Sequence, residues 1–372
     1  IGPAGVPSTT QTCSRFTAED LQGTIYPAAA PGGRRVPLLK TLVTSACERD
    51  CFYCPFRAGR DHPRVTFKPD ELAKLCDLLY RRGAIEGVFL SSGIAGGGVR
   101  TQTKLIDTAE ILRDRYSFQG YIHLKIMPGA EYDQIVRTMQ LADRVSVNLE
   151  APTASSLAHL APHKALVKEL IQPLLDVDKI RRAQSGKPGT WTNPYRSGPS
   201  QTTQFVVGPG GETDLDLLRA TAYLRRNANL ARAYFSAFKP VPDTPLEDRP
   251  AESPARERRL YQSDFLLRDY GFGVDELVFE NDGNLPRDED PKVVWARHNL
   301  THAPIEINKA AKRDLLRVPG IGLVGVERIL RARRLGQLRE LKALRQLGVL
   351  ADRAAPFILL NGRRPTYQMR LW

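Results

Sequence analysis

Cys47, Cys51 and Cys54 stand in the run Cys-Glu-Arg-Asp-Cys-Phe-Tyr-Cys, just after the apolar stretch Leu38–Val43. Thiolates are the ligands of iron–sulfur clusters. Three on one tight loop can hold a [4Fe–4S] cluster and leave its fourth iron without a protein ligand, and an open position marks catalytic rather than structural metal sites. A zinc knot would want a fourth Cys or His at short spacing, but the stretch that follows offers only His62. A disulfide framework fits poorly with a long chain of five cysteines and no secretory segment at its start. Cys76 falls among Leu72, Leu75 and Leu79 on an expected helix and reads as core, whereas Cys13 receives no role.

The elements that must position this loop alternate between short β-rich runs and helical patterns. Strands are expected at Leu38–Thr44, Gly87–Ser91, Tyr121–Ile126, Asp143–Leu149, Thr202–Val207 and Arg232–Phe238. Helices are expected at Pro69–Arg81, Gln102–Arg115, Glu131–Gln140, Ala165–Arg181, Asp214–Asn227 and Ala255–Tyr270. Pro69 followed by Asp70 and Glu71 is a helix start, with proline in the first turn and acids at the positive end of the dipole. Successive β-then-α units imply a parallel α/β sheet with right-handed crossovers.

The chain has 372 residues, 42% of them hydrophobic and 26% charged, the balance of an ordinary globular protein. No apolar stretch reaches membrane-spanning length. Four parts are expected: an irregular leader over 1–34, the α/β body over 35–280, a bridging segment over 281–303 rich at its start in Asn, Asp, Gly and Pro, and a basic unit over 304–372. Fifteen Lys/Arg against five Asp/Glu give that last unit +10 of the chain's +13. A basic appendage on a near-neutral body is the electrostatic outline of nucleic-acid binding, although a solvated helical face has the same count. Between Ala183 and Gln201 a Gly/Pro-rich stretch carries Lys187, Trp191, Tyr195 and Arg196, composition for a substrate-covering lid or for plain surface disorder.

The cysteine spacing, with Tyr53 directly before the last thiol, resembles the signature of the radical S-adenosylmethionine (radical SAM) superfamily. That resemblance implies a partial (β/α)6 TIM-type barrel with its chemistry at the C-terminal strand ends. It also implies a [4Fe–4S] cluster whose open iron chelates SAM, and cleavage of SAM by one electron to a 5′-deoxyadenosyl radical. Candidate SAM contacts then lie at the strand ends. They are Tyr53, Ser91-Ser92-Gly93 ahead of Gly96-Gly97-Gly98, Glu150 after the fourth strand, Val207-Gly208 after the fifth and Lys239 after the sixth. His123 and Lys125 share one face of the third strand, and His163-Lys164 reads as a helix-flanking loop. No residue is singled out as a catalytic acid or base.

In the basic unit, Ile307 opens an expected helix through Leu316, Val318-Pro319-Gly320-Ile321-Gly322 forms a turn, and Val324–Arg334 forms a second helix. The glycines allow a tight turn whose amides face outward at a helix start, a geometry that binds phosphate. Arg328, Arg331, Arg333 and Arg334 flank it. The pattern resembles a helix-hairpin-helix motif, which grips the nucleic-acid backbone without reading sequence.

Taken together, Cys47–Cys54, Phe89–Gly93, Gly120–Lys125, Ala142–Glu150 and the terminal hairpin resemble the DNA modification or repair group of radical SAM proteins. The resemblance implies DNA as partner, a one-electron donor such as flavodoxin or ferredoxin, and an association with a uracil-DNA-glycosylase-like protein. A reducing cytoplasm is the expected location. Two other functions stay open: a DNA-binding protein with a structural or redox-sensing cluster, and a radical SAM enzyme acting on RNA or a small molecule.

Overall fold

The computed structural model describes residues 25–29, 34–184 and 198–367. One sheet organises the body, with its strands side by side in chain order: β1 (Ile25–Ala29), β2 (Arg35–Leu42), β3 (Gly87–Ser91), β4 (Tyr121–Lys125), β5 (Arg144–Ser146), β6 (Ser200–Val207) and β7 (Arg232–Ala237). From β2 to β7 every pairing is parallel, and β1 closes one edge as an antiparallel partner of β2. The six expected parallel strands are present, and the sheet curls into a half-barrel, an α/β partial TIM-type architecture. The stretch expected to be irregular over 1–34 holds β1, a correction with a physical reason. Pro27 argues against a strand in sequence, but on a sheet edge its missing N–H costs nothing.

Helices cover the convex face: α1 (Pro69–Arg81), α2 (Gly98–Glu110), α3 (Tyr132–Leu141), α4 (Ala154–Ala158), α5 (Gln172–Gln184), α6 (Asp214–Ala228) and α7 (Pro254–Asp269). Wide π-type turns extend α2 over Ile111–Arg115 and precede α5 over Leu166–Ile171. In α1 the Glu71 carboxylate accepts the Lys68 N–H at 3.0 Å, completing the start that Pro69 and Asp70 open. Its stripe Leu72, Cys76 and Leu79 is buried on the sheet, and burial pushes the Cys76 thiol up to about 12. Val88, Leu90, Ile122, Leu124 and Val145 are fully buried. Because side chains alternate along a strand, their neighbours in the chain face the concave side.

The C-terminal unit has its own core around Ile307, Leu315, Ile321, Val326, Ile329, Leu344 and Ile358. It contains α8 (Pro291–Leu300), β8 (Ile305–Glu306), α9 (Lys312–Arg317), α10 (Leu323–Ala332), α11 (Leu341–Gln346), α12 (Ala351–Ala354) and β9 (Ile358–Leu359). The helix expected from Ile307 starts only at Lys312. Ahead of it the backbone pairs β8 with β9, and the Ile307 N–H donates to Leu359 O at 3.0 Å. The bridging segment is largely α8, and it is packed rather than loose. Trp295 meets Phe272 edge-on at 5.4 Å, and the Arg317 guanidinium lies 3.6 Å from the Phe272 ring while pairing with Glu276 at 2.8 Å. These contacts tie the basic unit to the half-barrel. Among the described residues no helix is long and apolar enough to cross a membrane.

Candidate active site

The cysteine loop leaves the C-terminal end of β2 and is held by its own backbone. Glu48 N–H donates to Ile94 O and Phe52 N–H to Leu160 O, each at 2.7 Å, while Gly93 N–H donates to Thr44 O at 2.7 Å. The Cys47 sulfur accepts the Ile94 N–H at 3.4 Å. A Cβ on Gly93 would stand 2.2 Å from Ala46 O, so the turn after β3 and the cysteine loop touch backbone to backbone. Gly96 and Gly97, at φ +75° and +88°, turn their amides onto the Glu48 carboxylate at 3.0 and 3.2 Å. Sequence reasoning missed Glu48, because an acid between two cysteines carries no signal of its partner.

Cys51 is 8% exposed, and Cys47 and Cys54 are half-buried. Burial first of all, opposed by Lys164 and reinforced by Glu150 and the other two thiols, pushes the Cys51 thiol up to about 11. Burial likewise raises Cys54, which also feels Cys47. Among the described residues no His, Cys, Asp and Glu side chains are gathered as a single ion needs. The donors on the loop are three soft thiols, because the two carboxylates between them are engaged elsewhere, Glu48 by the Gly96 and Gly97 amides and Asp50 by His163, and this leaves a set suited to an iron–sulfur cluster. The residues present fit that group: Cys47, Cys51 and Cys54 would hold it.

Above the loop stands Glu150, following β5. It is 4% exposed, and at φ +65° it adopts the left-handed backbone that side chains seldom take. Its backbone is fixed on β6, by Glu150 N–H to Gln204 O at 3.0 Å and Val206 N–H to Glu150 O at 2.8 Å. Its Oε1 accepts Lys164 Nζ at 3.0 Å, and its buried Oε2 has no partner of normal hydrogen-bond geometry among the described residues. Burial would raise this carboxyl, but Lys164 and Lys125 outweigh it and hold Glu150 below the ordinary carboxylate range. Burial, and next the Glu150 charge, drive the Tyr53 phenol well above its usual value. Lys125 at the end of β4 is pulled down to about 8, mainly by burial, with Glu150 opposing. The helix-flanking loop expected at His163-Lys164 is thus a site element. His163 Nδ1 pairs with Asp50 Oδ1 at 2.8 Å, and Arg49 on the cysteine loop binds Glu169 at 2.7 Å.

The remaining strand-end residues divide. Ser91 ends β3, and Ser92 is buried with an Oγ that has no hydrogen-bond partner among the described residues. Val207 is a fully buried core side chain whose carbonyl accepts Phe238 N–H at 3.0 Å. Gly208 N–H is spent on Glu212 Oε1 at 2.6 Å, inside a buried network in which Arg256 binds Asp214 and Glu252 at 2.7 Å each. That network explains the Gly208–Glu212 turn structurally. Lys239 is exposed. Most of the stretch considered as a lid, and Cys13, lie outside the described residues.

At the hairpin, Pro319 and Ile321 are buried and Gly320 takes φ +82°. The outward-facing amides expected there are partly engaged. The Leu323 N–H interacts with the Tyr270 hydroxyl, which lies 3.5 Å from where a Gly322 Cβ would be, and Lys292 Nζ donates to Ile321 O at 2.8 Å. Arg333 donates to Ala310 O at 2.7 Å and Arg328 to Leu347 O at 3.1 Å, so both brace the unit. Arg331 and Arg334 are exposed and make no ion pair among the described residues.

A curled parallel sheet with a thiol triad at its C-terminal rim is an arrangement that could hold an iron–sulfur cluster. Residues 41–181, which enclose the triad, match the model of the radical SAM superfamily; the chain therefore carries a radical SAM domain over those residues. The family implies a [4Fe–4S] cluster and SAM. No curated protein matches the sequence. Among solved structures the chain is similar to methylornithine synthase PylB, at 14% identity over 63% of each chain with a TM-score of 0.48. It is similar also to the hydrogenase maturase HydG from Carboxydothermus hydrogenoformans, at 12% identity over 62% of this chain and 51% of that one, TM-score 0.48. A third is the radical SAM methyltransferase TsrM from Kitasatospora setae, at 13%, 60%, 42% and 0.41 in the same order. The chain spans less than two thirds of the length of each.

Proposed function

We propose that this chain is a radical SAM enzyme that acts on DNA, in modification or repair, with the basic unit over 304–372 holding the nucleic acid and the half-barrel rim carrying the chemistry. The observation that carries the DNA part is the charge of +10 on a unit built around a Gly-turn helix pair. Arg331 and Arg334 on and after α10 are its free phosphate contacts, and the hairpin resemblance favours a backbone grip. When bound, the cluster supplies the electron that cleaves SAM to a 5′-deoxyadenosyl radical. The protein's own groups do the rest. Ser92 Oγ is a polar position for the amine or ribose of SAM, and Glu150, which Lys164 and the Tyr53 hydroxyl help to keep ionised, is a second one at the rim. The cysteine loop, locked on Gly93 and Glu48, sets where the thiols stand. A stacked base is out of reach of a barrel interior, so a base substrate must be flipped or single-stranded.

The test is anaerobic reconstitution with SAM and dithionite, measuring 5′-deoxyadenosine without nucleic acid, with DNA and with RNA. DNA-stimulated formation that a chain lacking residues 304–372 loses supports the proposal. Equal formation in all three arms moves the substrate to a small molecule, RNA-only stimulation moves it to RNA, and none in any arm leaves a cluster-bearing binding protein. A Cys51→Ala control removes both the cluster's colour and turnover.

A further inference from the structure

The concave face of the sheet is unusually cationic. Side chains pointing into barrels of this type are mostly bulky and apolar. Here the strand register places Lys40, Phe89, His123 and Arg144 side by side in one row, and the next row toward the rim holds Lys125 and Ser146. The row is knit together. Phe89 and His123 stack at 4.1 Å, Lys40 Nζ lies 5.7 Å from the Phe89 ring, His123 Nε2 meets Ser146 Oγ at 2.9 Å, and Arg144 Nε donates to Ser200 Oγ at 3.0 Å. None of Lys40, Lys125 and Arg144 has a carboxylate within ion-pairing distance among the described residues. The carboxylate acting on Lys125 is Glu150, which is already paired to Lys164, with a smaller contribution from the Cys54 thiol. Burial, and then Arg144, Lys125 and Lys40 in turn, hold His123 well below its usual range, so it stands neutral among cations. Like charges gathered on a half-buried face cost free energy that an incoming anion recovers.

We propose that this row is a phosphate subsite: a phosphate group of the substrate docks between Lys40 and Arg144, with Lys125 on its rim side, while the rest of the substrate extends toward the cysteine loop. Three positive charges exceed what one carboxylate neutralises, and the Arg144 fork, with the single donor hydrogen that the His123–Ser146 pair leaves free, suits phosphate oxygens. The subsite rests on the radical SAM reading only for the direction in which the substrate extends.

Equilibrium binding to the full, cluster-loaded chain tests it, using inorganic phosphate, thymidine 5′-monophosphate, thymidine and succinate as probes. Phosphate and the nucleotide should bind, thymidine at least tenfold more weakly, and succinate more weakly than phosphate. Lys40→Met, at an exposed position, should lower nucleotide affinity several-fold, and Lys40→Met with Arg144→Met at least tenfold. The melting temperature and cluster absorbance of the single variant should be unchanged. Equal affinity of thymidine and its monophosphate, or unaltered binding by Lys40→Met, overturns the subsite; succinate binding as tightly as phosphate overturns the phosphate assignment. Arg331→Ala with Arg334→Ala should leave mononucleotide binding intact. If the wild-type chain fails to bind duplex DNA while phosphate binding persists, the DNA reading falls and the subsite stands.

Discussion

Lys164 Nζ sits 3.0 Å from Glu150 Oε1, and the two side chains retain only 10% and 5% of their exposure. The pair joins the loop after α4 to the rim above β5, directly over the cysteine loop. Breaking one side of a buried pair strands the other charge, at a cost of about 3–5 kcal/mol, whereas removing both is far milder. Lys164→Met should therefore lower unfolding free energy by that amount, and Glu150→Gln with Lys164→Met should recover most of it. Chemical denaturation of the three proteins checks this; a loss below about 1 kcal/mol in the single variant would show that Glu150 is neutral or solvated, contrary to the structure.

Gly93 gives a sharper probe of the cysteine loop. Its missing Cβ is what lets Ala46 O approach, at 2.2 Å from the position a methyl would occupy, and backbone cannot give way as a side-chain tip can. Gly93→Ala should push the loop off the β3 turn, costing about 1–3 kcal/mol of stability. It should also cut the iron bound after reconstitution by more than half. Full iron content with an unchanged melting temperature would mean the contact is not rigid.

The thiol triad, the six parallel strands and the buried Cys76 were legible because each is written in local spacing: three short gaps, β-rich runs between helical periods, and one apolar stripe. What escaped is non-local or contrary to local preference. Lys164 lies fourteen positions beyond Glu150, and only the fold shows that they meet. Glu48 offered no hint that it would bind Gly96 and Gly97. β1 contains Pro27, and β8 and β9 are two-residue strands whose partners are about fifty residues away in sequence. Val207 looked like a rim residue, but side-chain alternation along β6 turns it into the core.

Nucleic-acid binding by the C-terminal unit should be carried by Arg331 and Arg334 rather than by all four arginines, since Arg333 and Arg328 are spent on backbone carbonyls. Arg331→Ala with Arg334→Ala should weaken binding to duplex DNA of any sequence and flatten the slope of log affinity against log salt by about 1–2 units. Fluorescence anisotropy between low and moderate salt measures it. An unchanged slope would place the phosphate contacts elsewhere.

Lys292, in the first turn of α8, donates to Ile321 O at 2.8 Å and lies 4.6 Å from the Tyr270 ring, so it pins the hairpin turn to the body. Burial first, opposed by Asp290 and aided by Arg353 and Arg317, pulls its pKa down to about 7 from an ordinary 10.5. Below about pH 7 the amine is protonated whether the chain is folded or not, and above 10.5 it is neutral in both states. Between those limits only the unfolded chain holds the proton, so this group makes folding more favourable as pH rises, by at most about 1.4 kcal/mol per pH unit. Lys292→Met removes the titration, keeps most of the buried chain length and should flatten this rise. Unfolding free energies of both proteins at pH 7 and pH 9 decide it: the wild type should gain on Lys292→Met by at least about 1 kcal/mol across the interval. Parallel pH profiles would mean that the hydrogen bond to Ile321 O and the Tyr270 ring hold the ammonium charged in place.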